Sequence, residues 1–305
     1  MSDPPMIDPS EHPMVVSAMA RLATQGGWAR MLAGKPLEDD LDLNDAELLV
    51  AARVLRRTGD TTLEPVDSHP WYFDPDSLAG GQLAYLRRAL RHAEGGLAGW
   101  TAEHLDIVVA QGRGSRTAAM ALGEGLLPQM APAHRAFLDG TAEFLDVGVG
   151  IGTVAGAICE MFPGVTAVGL DVLAPVLDIA RARLTEQGLR PRVELRLQSV
   201  AHLVDVRRYD LAWLPQQFIP RADLEPGLRA VLTALRSDRW LVAPVLAAPE
   251  QADDFERAVH AHAAHLSGGG PLTVPDAAEL LTRAGFVDVR DVELGDQVVM
   301  LGRRP

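Results

Sequence analysis

Cysteine is almost missing from this chain of 305 residues: Cys159 is the only one. Neither an intrachain disulfide nor a cysteine zinc cluster can form. Long apolar runs are missing too. None approaches the roughly 20 residues that a membrane helix needs, so no spanning segment is expected. Positive charge is scarce, with 28 Lys and Arg against 41 Asp and Glu, a formal net charge of -13. A surface that tracks phosphates needs clustered cations, so nucleic acid is disfavoured as the main partner. The pairs Arg56-Arg57 and Arg87-Arg88 fall in helical patterns and read as solvated faces. A leader is not evident either. The opening MSDPPMIDPSEHPM is acidic and Pro-rich, unlike a signal peptide, which points to a cytoplasmic protein with a loose N-terminal arm. Repeats and low-complexity tracts are absent.

What is present suffices for a sizeable core, since 48% of residues are hydrophobic and 23% charged. The front of the chain reads as helices. Val15 to Leu32 has helical spacing and ends near Gly34. Asn44, with Glu47 three residues on, reads as an N-cap for a helix running through AELLVAARVLRR to Gly59. Thr61 to Phe73 is extended and Pro-broken, with an aromatic pair at Trp71-Tyr72. Helical spacing returns over Leu78–His92, Ala102–Val109, Ser115–Leu127 and Ala133–Leu138. From Phe144 the texture alternates strand and helix, which implies a parallel sheet covered on both faces. Expected strands are Phe144–Val147, Val165–Leu170, Val193–Leu197, Asp210–Leu214 and Trp240–Val245. Expected helices are Val172–Glu186, Leu224–Leu235 (Asp223 as N-cap), Phe255–Leu266 and Ala277–Ala284, the last capped by Thr273. GFVDVRDVEL and QVVMLGRR then flank Gly295-Asp296 as a hairpin, so one strand runs antiparallel to its neighbour.

The chemistry concentrates in FLDVGVGIG, residues 144–152. A strand ends in an acid, Asp146, then Gly148, Gly150 and Gly152 alternate before a helical run. Glycine lets the backbone bend sharply and approach a ligand closely. A dinucleotide pattern would need a glycine where Thr153 stands, and an acid at the strand end opposes a pyrophosphate. The acid suits a ligand carrying an amino group with positive charge, such as S-adenosylmethionine. Asp171 ends the next strand about 20 residues on, where a carboxylate accepts from ribose hydroxyls.

With Asp146, the glycine spacing, Asp171 and the terminal strand pair together, the chain from Phe144 onward resembles the class I S-adenosylmethionine-dependent methyltransferases. The resemblance implies a Rossmann-like α/β fold: a seven-stranded sheet with an antiparallel last strand, spanning 141–305. A mainly α-helical N-terminal domain, 1–140, would precede it. QGRGSRTAAMALGEGLLPQM resembles the linker helix of two-domain bacterial methyltransferases, whose helical or winged-helix-like front segment serves as lid or dimer contact. The resemblance assigns Asp146, Gly148 and Gly150 to the amino-acid end of the cofactor. It places Asp171 on the ribose and Val172 beside the adenine. Where the family usually has an acid near the adenine amine, this chain has Ser199, followed by Val200. Arg113 could reach the cofactor carboxylate or the substrate. Asp210 matches the acid that opens the fourth strand and reads as structural.

Ligands in such folds sit beyond the carboxyl ends of the strands. There Trp213 and Phe218 are candidate substrate walls, and Gln216 and Gln217 candidate polar contacts; packing in the core is the plain alternative. Neither an Asn-Pro-Pro-Tyr type motif nor a Pro-Cys nucleophile is present, which argues against nucleic-acid methylation. His262 and His265 share a helix face and are the candidate bases, or the surface of a solvated helix. No metal site is assigned. The expectation is a small-molecule methyltransferase, O-methylating first and C- or N-methylating as the alternative, working as a homodimer away from nucleic acid and membrane. A protein that binds S-adenosylmethionine without methylating and a nicotinamide oxidoreductase are the competing classes.

Overall fold

A computed structural model describes residues 13–32, 35–37, 40–59, 62–66, 75–96, 99–248, 252–294 and 297–305. The proposed N-terminal arm, the Trp71-Tyr72 pair, the helix end at Gly34 and the Gly295-Asp296 turn lie outside them. Two compact units result. One takes in the chain to Ala89 together with Val109–Thr117; the other comprises Leu90–Val108 and Ala118–Pro305.

The first unit holds α1 (Pro13–Thr24), α2 (Gly27–Leu32), α3 (Asp40–Ala51), the antiparallel pair β1 (Leu55–Arg57) and β2 (Leu63–Pro65), and most of α4 (Pro75–Ala93). Val15, Met19, Leu22, Trp28, Met31 and Leu49 form its core. Arg21 ties α1 to α3 through Asp42 and through Asp45, the latter at 2.6 Å.

Three expectations fail here. The single helix over Val15–Leu32 is two, because Gly26 adopts φ +82° between them. Asn44 is not a cap: α3 starts four residues earlier and runs through it. The helix does not reach Gly59 either, since Arg53 sits at φ +58°. Val54 N donates to Leu49 O and Arg53 N to Val50 O, a Schellman closure built without glycine. Arg56 and Arg57 consequently lie on β1, where Arg56 faces Glu64.

The separate helices expected at Ala102–Val109 and Ser115–Leu127 are largely one, α5 (Leu105–Met120), continued by a π-helical turn at Ala121–Leu126. Gly114 does not break α5; it lets α4 approach. A Cβ on Gly114 would lie 2.7 Å from Gly81 N, and Ser77 Oγ donates to Gly114 O at 2.8 Å. Gly114→Ala should therefore cost about 1–3 kcal/mol through overpacking, read as a lower thermal midpoint.

In the second unit α6 (Ala133–Leu138) precedes β3 (Glu143–Val147), α7 (Thr153–Met161), β4 (Thr166–Asp171), α8 (Ala174–Glu186), β5 (Val193–Leu197) and β6 (Tyr209–Trp213). Then come α9 (Arg221–Ala234), β7 (Leu235–Val245), α10 (Asp254–Leu266), α11 (Val274–Ala284), β8 (Val287–Leu294) and β9 (Gln297–Arg303). Asp223, expected as the N-cap of α9, lies inside its first turn; Pro220 holds the cap position. Thr273 does cap α11, with Asp276 completing a capping box.

The seven strands run in the order β5-β4-β3-β6-β7-β9-β8. β3 to β7 are parallel, and β9 is antiparallel to both its neighbours. The strand order reverses beside β3, so the crevice at the carboxyl ends of β3, β4 and β6 is where this architecture receives a ligand. Two apolar cores are buried in this unit. One includes Phe144, Ile158, Leu184 and Trp213; the other includes Leu145, Leu170, Leu228 and Leu241. Cys159 is buried on α7 and its thiol is pushed up to about 11 by that burial.

Candidate functional site

The turn after β3 is built from alternation. Val149 and Ile151 point inward, 5% and 1% exposed, and anchor the loop in the core. Gly148, Gly150 and Gly152 between them take φ of +69°, +54° and +80°, a region L side chains rarely occupy. A Cβ on Gly148 would meet nothing within 4 Å, and one on Gly150 only Gly148 O at 3.9 Å. These two glycines thus present bare backbone to open space. Gly152 differs: its Cβ would sit 3.2 Å from Leu184 Cδ1, so this glycine serves the packing of α7 on α8.

Two acids meet this loop. Asp146 on β3 is 1% exposed, and its Oδ2 accepts from Ala155 N at 3.0 Å in the first turn of α7. Burial raises its pKa to about 7, against the opposing effect of that hydrogen bond, and the charge of Asp171 adds to the rise. Asp171 at the end of β4 accepts from Gly150 N at 3.0 Å and Leu173 N at 2.9 Å. Burial raises its pKa too. Among the described residues no Arg, Lys or His forms an ion pair with either acid. The result is a glycine turn flanked by two desolvated carboxylates, with one amide of the helix terminus already taken by Asp146. A pyrophosphate would meet negative charge there, whereas a cationic ligand would relieve it. Thr153 Oγ1, buried at the first position of α7, has no hydrogen-bond partner among the described residues.

Beside Asp171, Val172 is 60% exposed, so an apolar face stands next to the ribose-type acid. The loop after β5 lies alongside, with Gln198 N donating to Asp171 O at 2.8 Å. Ser199 is half-buried there. Its Oγ accepts from Ala201 N at 3.2 Å and donates to Asp223 Oδ2 at 3.1 Å. Val200 is buried against α9.

At the end of β6, Trp213 is 5% exposed and packed in the core with Phe144 and Trp240. Gln216 and Gln217 are buried, and Gln216 Nε2 and Gln217 Oε1 lack partners among the described residues. Gln216 lines an apolar cavity with Leu214, Leu224, Val245, Leu280 and Met300. Phe218 is half-buried and meets Trp100 edge-on, ring centroids 5.0 Å apart. Gly269 N donates to Gln217 O at 2.9 Å, and Gly99 N to Leu266 O at 3.1 Å. The segment 99–104 and the loop after α10 therefore both border the residues that follow β6. Trp100 was not singled out by its sequence; the glycines preceding it were its only signal.

His262 and His265 are both exposed on α10. The His262 ring meets His92 edge-on at 5.0 Å, and among the described residues no hydrogen bond reaches either candidate. Arg113 is exposed on the part of α5 that belongs to the first unit. Asp210, 2% exposed, binds Glu143 N, Arg236 and Arg239. No group of three His, Cys, Asp or Glu among the described residues could hold a metal ion, and no described helix is long and apolar enough to cross a membrane.

Residues 144–238 match the family model of a methyltransferase domain. No curated protein matches the sequence. Among solved structures, a pyocyanin biosynthetic protein is similar at 18% identity and TM-score 0.65, over 95% of each chain. Human N-acetylserotonin methyltransferase, in complex with S-adenosylmethionine, is similar at 14% identity and TM-score 0.57, over 95% of this chain and 94% of that one. A mitomycin 7-O-methyltransferase is similar at 18% identity and TM-score 0.56, over 94% of each chain. At such identities the likeness speaks to the fold, and it extends through the helical front of the chain. The domain match over residues 144–238, the sheet order with its antiparallel β9 and the acid-flanked glycine turn agree: the chain has the fold of the class I S-adenosylmethionine-dependent methyltransferases.

Proposed function

We propose that this protein transfers the methyl group of S-adenosylmethionine to a small organic molecule, at oxygen. The observation that carries the reading is Asp146, a buried carboxylate with no cationic partner among the described residues, beside the open backbone of Gly148 and Gly150. The cofactor supplies a methyl group made electrophilic by its sulfonium. The residues present fit it. Asp146 receives the ammonium group, Asp171 the ribose hydroxyls, and Val172 and Val200 bound the purine with Ser199 at its rim. Oxygen as acceptor is supported by the 7-O-methyltransferase among the structural neighbours. The net charge of -13 favours a small molecule over nucleic acid.

On the substrate side the chain's task is alignment, since in-line displacement requires nucleophile, methyl and sulfur on one axis. Trp100 and Phe218 offer an aromatic wall, and Gln217 an amide oxygen without a partner among the described residues. His262 and His265 are the groups proposed to take a proton. An unchanged pH–rate profile in the His262→Ala/His265→Ala double variant removes them from the mechanism.

Calorimetric titration tests the donor. S-adenosylmethionine should bind and NAD should not; the reverse overturns the reading. Asp171→Ala should weaken S-adenosylmethionine at least tenfold, through lost ribose contacts and a loosened Gly150 amide. Formation of S-adenosylhomocysteine across a panel of phenols, enols and amines then identifies the acceptor. Cofactor binding with no turnover on any of them would favour a non-methylating role.

A further inference from the structure

The loop that follows β5 reads Gln198-Ser199-Val200 and holds no acid. A carboxylate nevertheless arrives there from another element. α9 rests on the turn Val200–His202, and its closest approach is at Gly227, where a Cβ would lie 2.7 Å from Val200 Cγ1. Asp223 stands one helical turn before Gly227 and so shares its face. That seating brings Asp223 beside Ser199, the residue preceding Val200.

The hydrogen bonds fix which group is free to act. Ser199 Oγ gives its proton to Asp223 Oδ2 at 3.1 Å and accepts from Ala201 N at 3.2 Å. It is thereby committed to the protein. Among the described residues no other side chain or amide bonds to the Asp223 carboxylate, which is half-buried and retains its second oxygen as an acceptor. Its place in the first turn of α9 favours the charge. Alongside, Val172, which follows β4, and Leu197, which ends β5, are 60% and 63% exposed and offer apolar surface for a planar ring.

We propose that Asp223, held by Ser199, accepts a hydrogen bond from the exocyclic amine of the adenine ring and so sets the base specificity of the cofactor site. This rests on S-adenosylmethionine being the donor. A carboxylate only accepts, so it selects an amine and opposes a carbonyl at the same ring position.

The test compares S-adenosylhomocysteine with S-inosylhomocysteine, in which a carbonyl replaces the amine, by calorimetry on the full chain. The wild type should prefer the adenine ligand at least tenfold. Asp223→Asn should weaken that ligand about tenfold and bring the preference close to one, because an amide can donate to the carbonyl. Ser199→Ala should reduce the preference less, by freeing the carboxylate to move. An Asp223→Asn variant that keeps its thermal midpoint and its full preference overturns the assignment, and so does a wild type that does not discriminate. A wild type that binds neither ligand overturns the donor reading itself.

Discussion

Asp146→Asn should weaken S-adenosylmethionine at least 30-fold and, without ligand, make the protein more stable at pH 8. Both effects come from one buried carboxylate. Its only hydrogen bond among the described residues is from Ala155 N, which an amide oxygen also accepts, so the turn into α7 survives the change. What the amide lacks is the charge. Removing one member of a desolvated charge pair costs about 2–5 kcal/mol of binding. Without ligand the same charge is a burden. Burial holds the Asp146 pKa at about 7 rather than the ordinary 3.8. A folded pKa above the unfolded one contributes stability that is complete below the unfolded value and is lost as pH rises through the folded value. The gap corresponds to up to about 4 kcal/mol of wild-type stability lost between pH 4 and pH 8. Chemical unfolding should therefore show the variant ahead at pH 8 and the advantage shrinking towards pH 4. A variant equal to the wild type at pH 8 and binding the cofactor normally would mean that Asp146 is neither charged nor used.

The same linkage gives the cofactor affinity a slope. An ammonium group requires the ionised carboxylate, so binding below pH 7 must release a proton from Asp146. Affinity should rise from pH 6 to pH 8 and then level off. The Asn variant should be flat across that window, which calorimetry in buffers of different ionisation enthalpy can check.

The stretch that governs these predictions was legible because its signals are local. FLDVGVGIG demands left-handed backbone at each glycine, and all three glycines adopt it. The second strand with Asp171, the cap at Thr273 and the closing strand pair β8 and β9 follow from equally local patterns. The front of the chain was less legible because its decisive contacts are not local. Arg53 closes α3 in a conformation that sequence reserves for glycine, and β1 exists only because β2 pairs with it. The apolar spacing separated helices at Val109 and Ser115, yet α4 packing against Gly114 makes the gap useful within a continuous α5. Asp223 illustrates the limit within the site region. The departure at Ser199 was visible in the sequence, but its partner lies 24 residues on, reached through Gly227 resting on Val200.

Asp210→Asn should be the converse of the Asp146 change, destabilising the fold and sparing the ligand. The two acids lie on neighbouring strands but at opposite ends. Phe144 pairs with Leu211 and Asp146 with Trp213, so Asp210 opens β6 at the amino edge while Asp146 nears the carboxyl edge of β3. At the amino edge the chain supplies its own cations. Asp210 takes Arg239 Nε at 2.8 Å, Arg236 and the Glu143 amide at 3.0 Å, joining β3, β6 and β7. An amide there has one acceptor oxygen for three donors and turns its own N–H groups towards arginine. Breaking such a buried network costs about 3–5 kcal/mol, tempered here because the Arg236 side chain is 41% exposed. The thermal midpoint should fall by roughly 10 °C. S-adenosylmethionine affinity, measured well below that midpoint, should stay within about twofold of the wild type, since sites without shared partners act almost independently. A large loss of affinity with an unchanged midpoint would place Asp210 in the ligand's reach. A buried acid that finds its cations within the chain holds the sheet together. Asp146, at the edge where the glycines open, finds no cation among the described residues, and the proposed ammonium group is what would supply one.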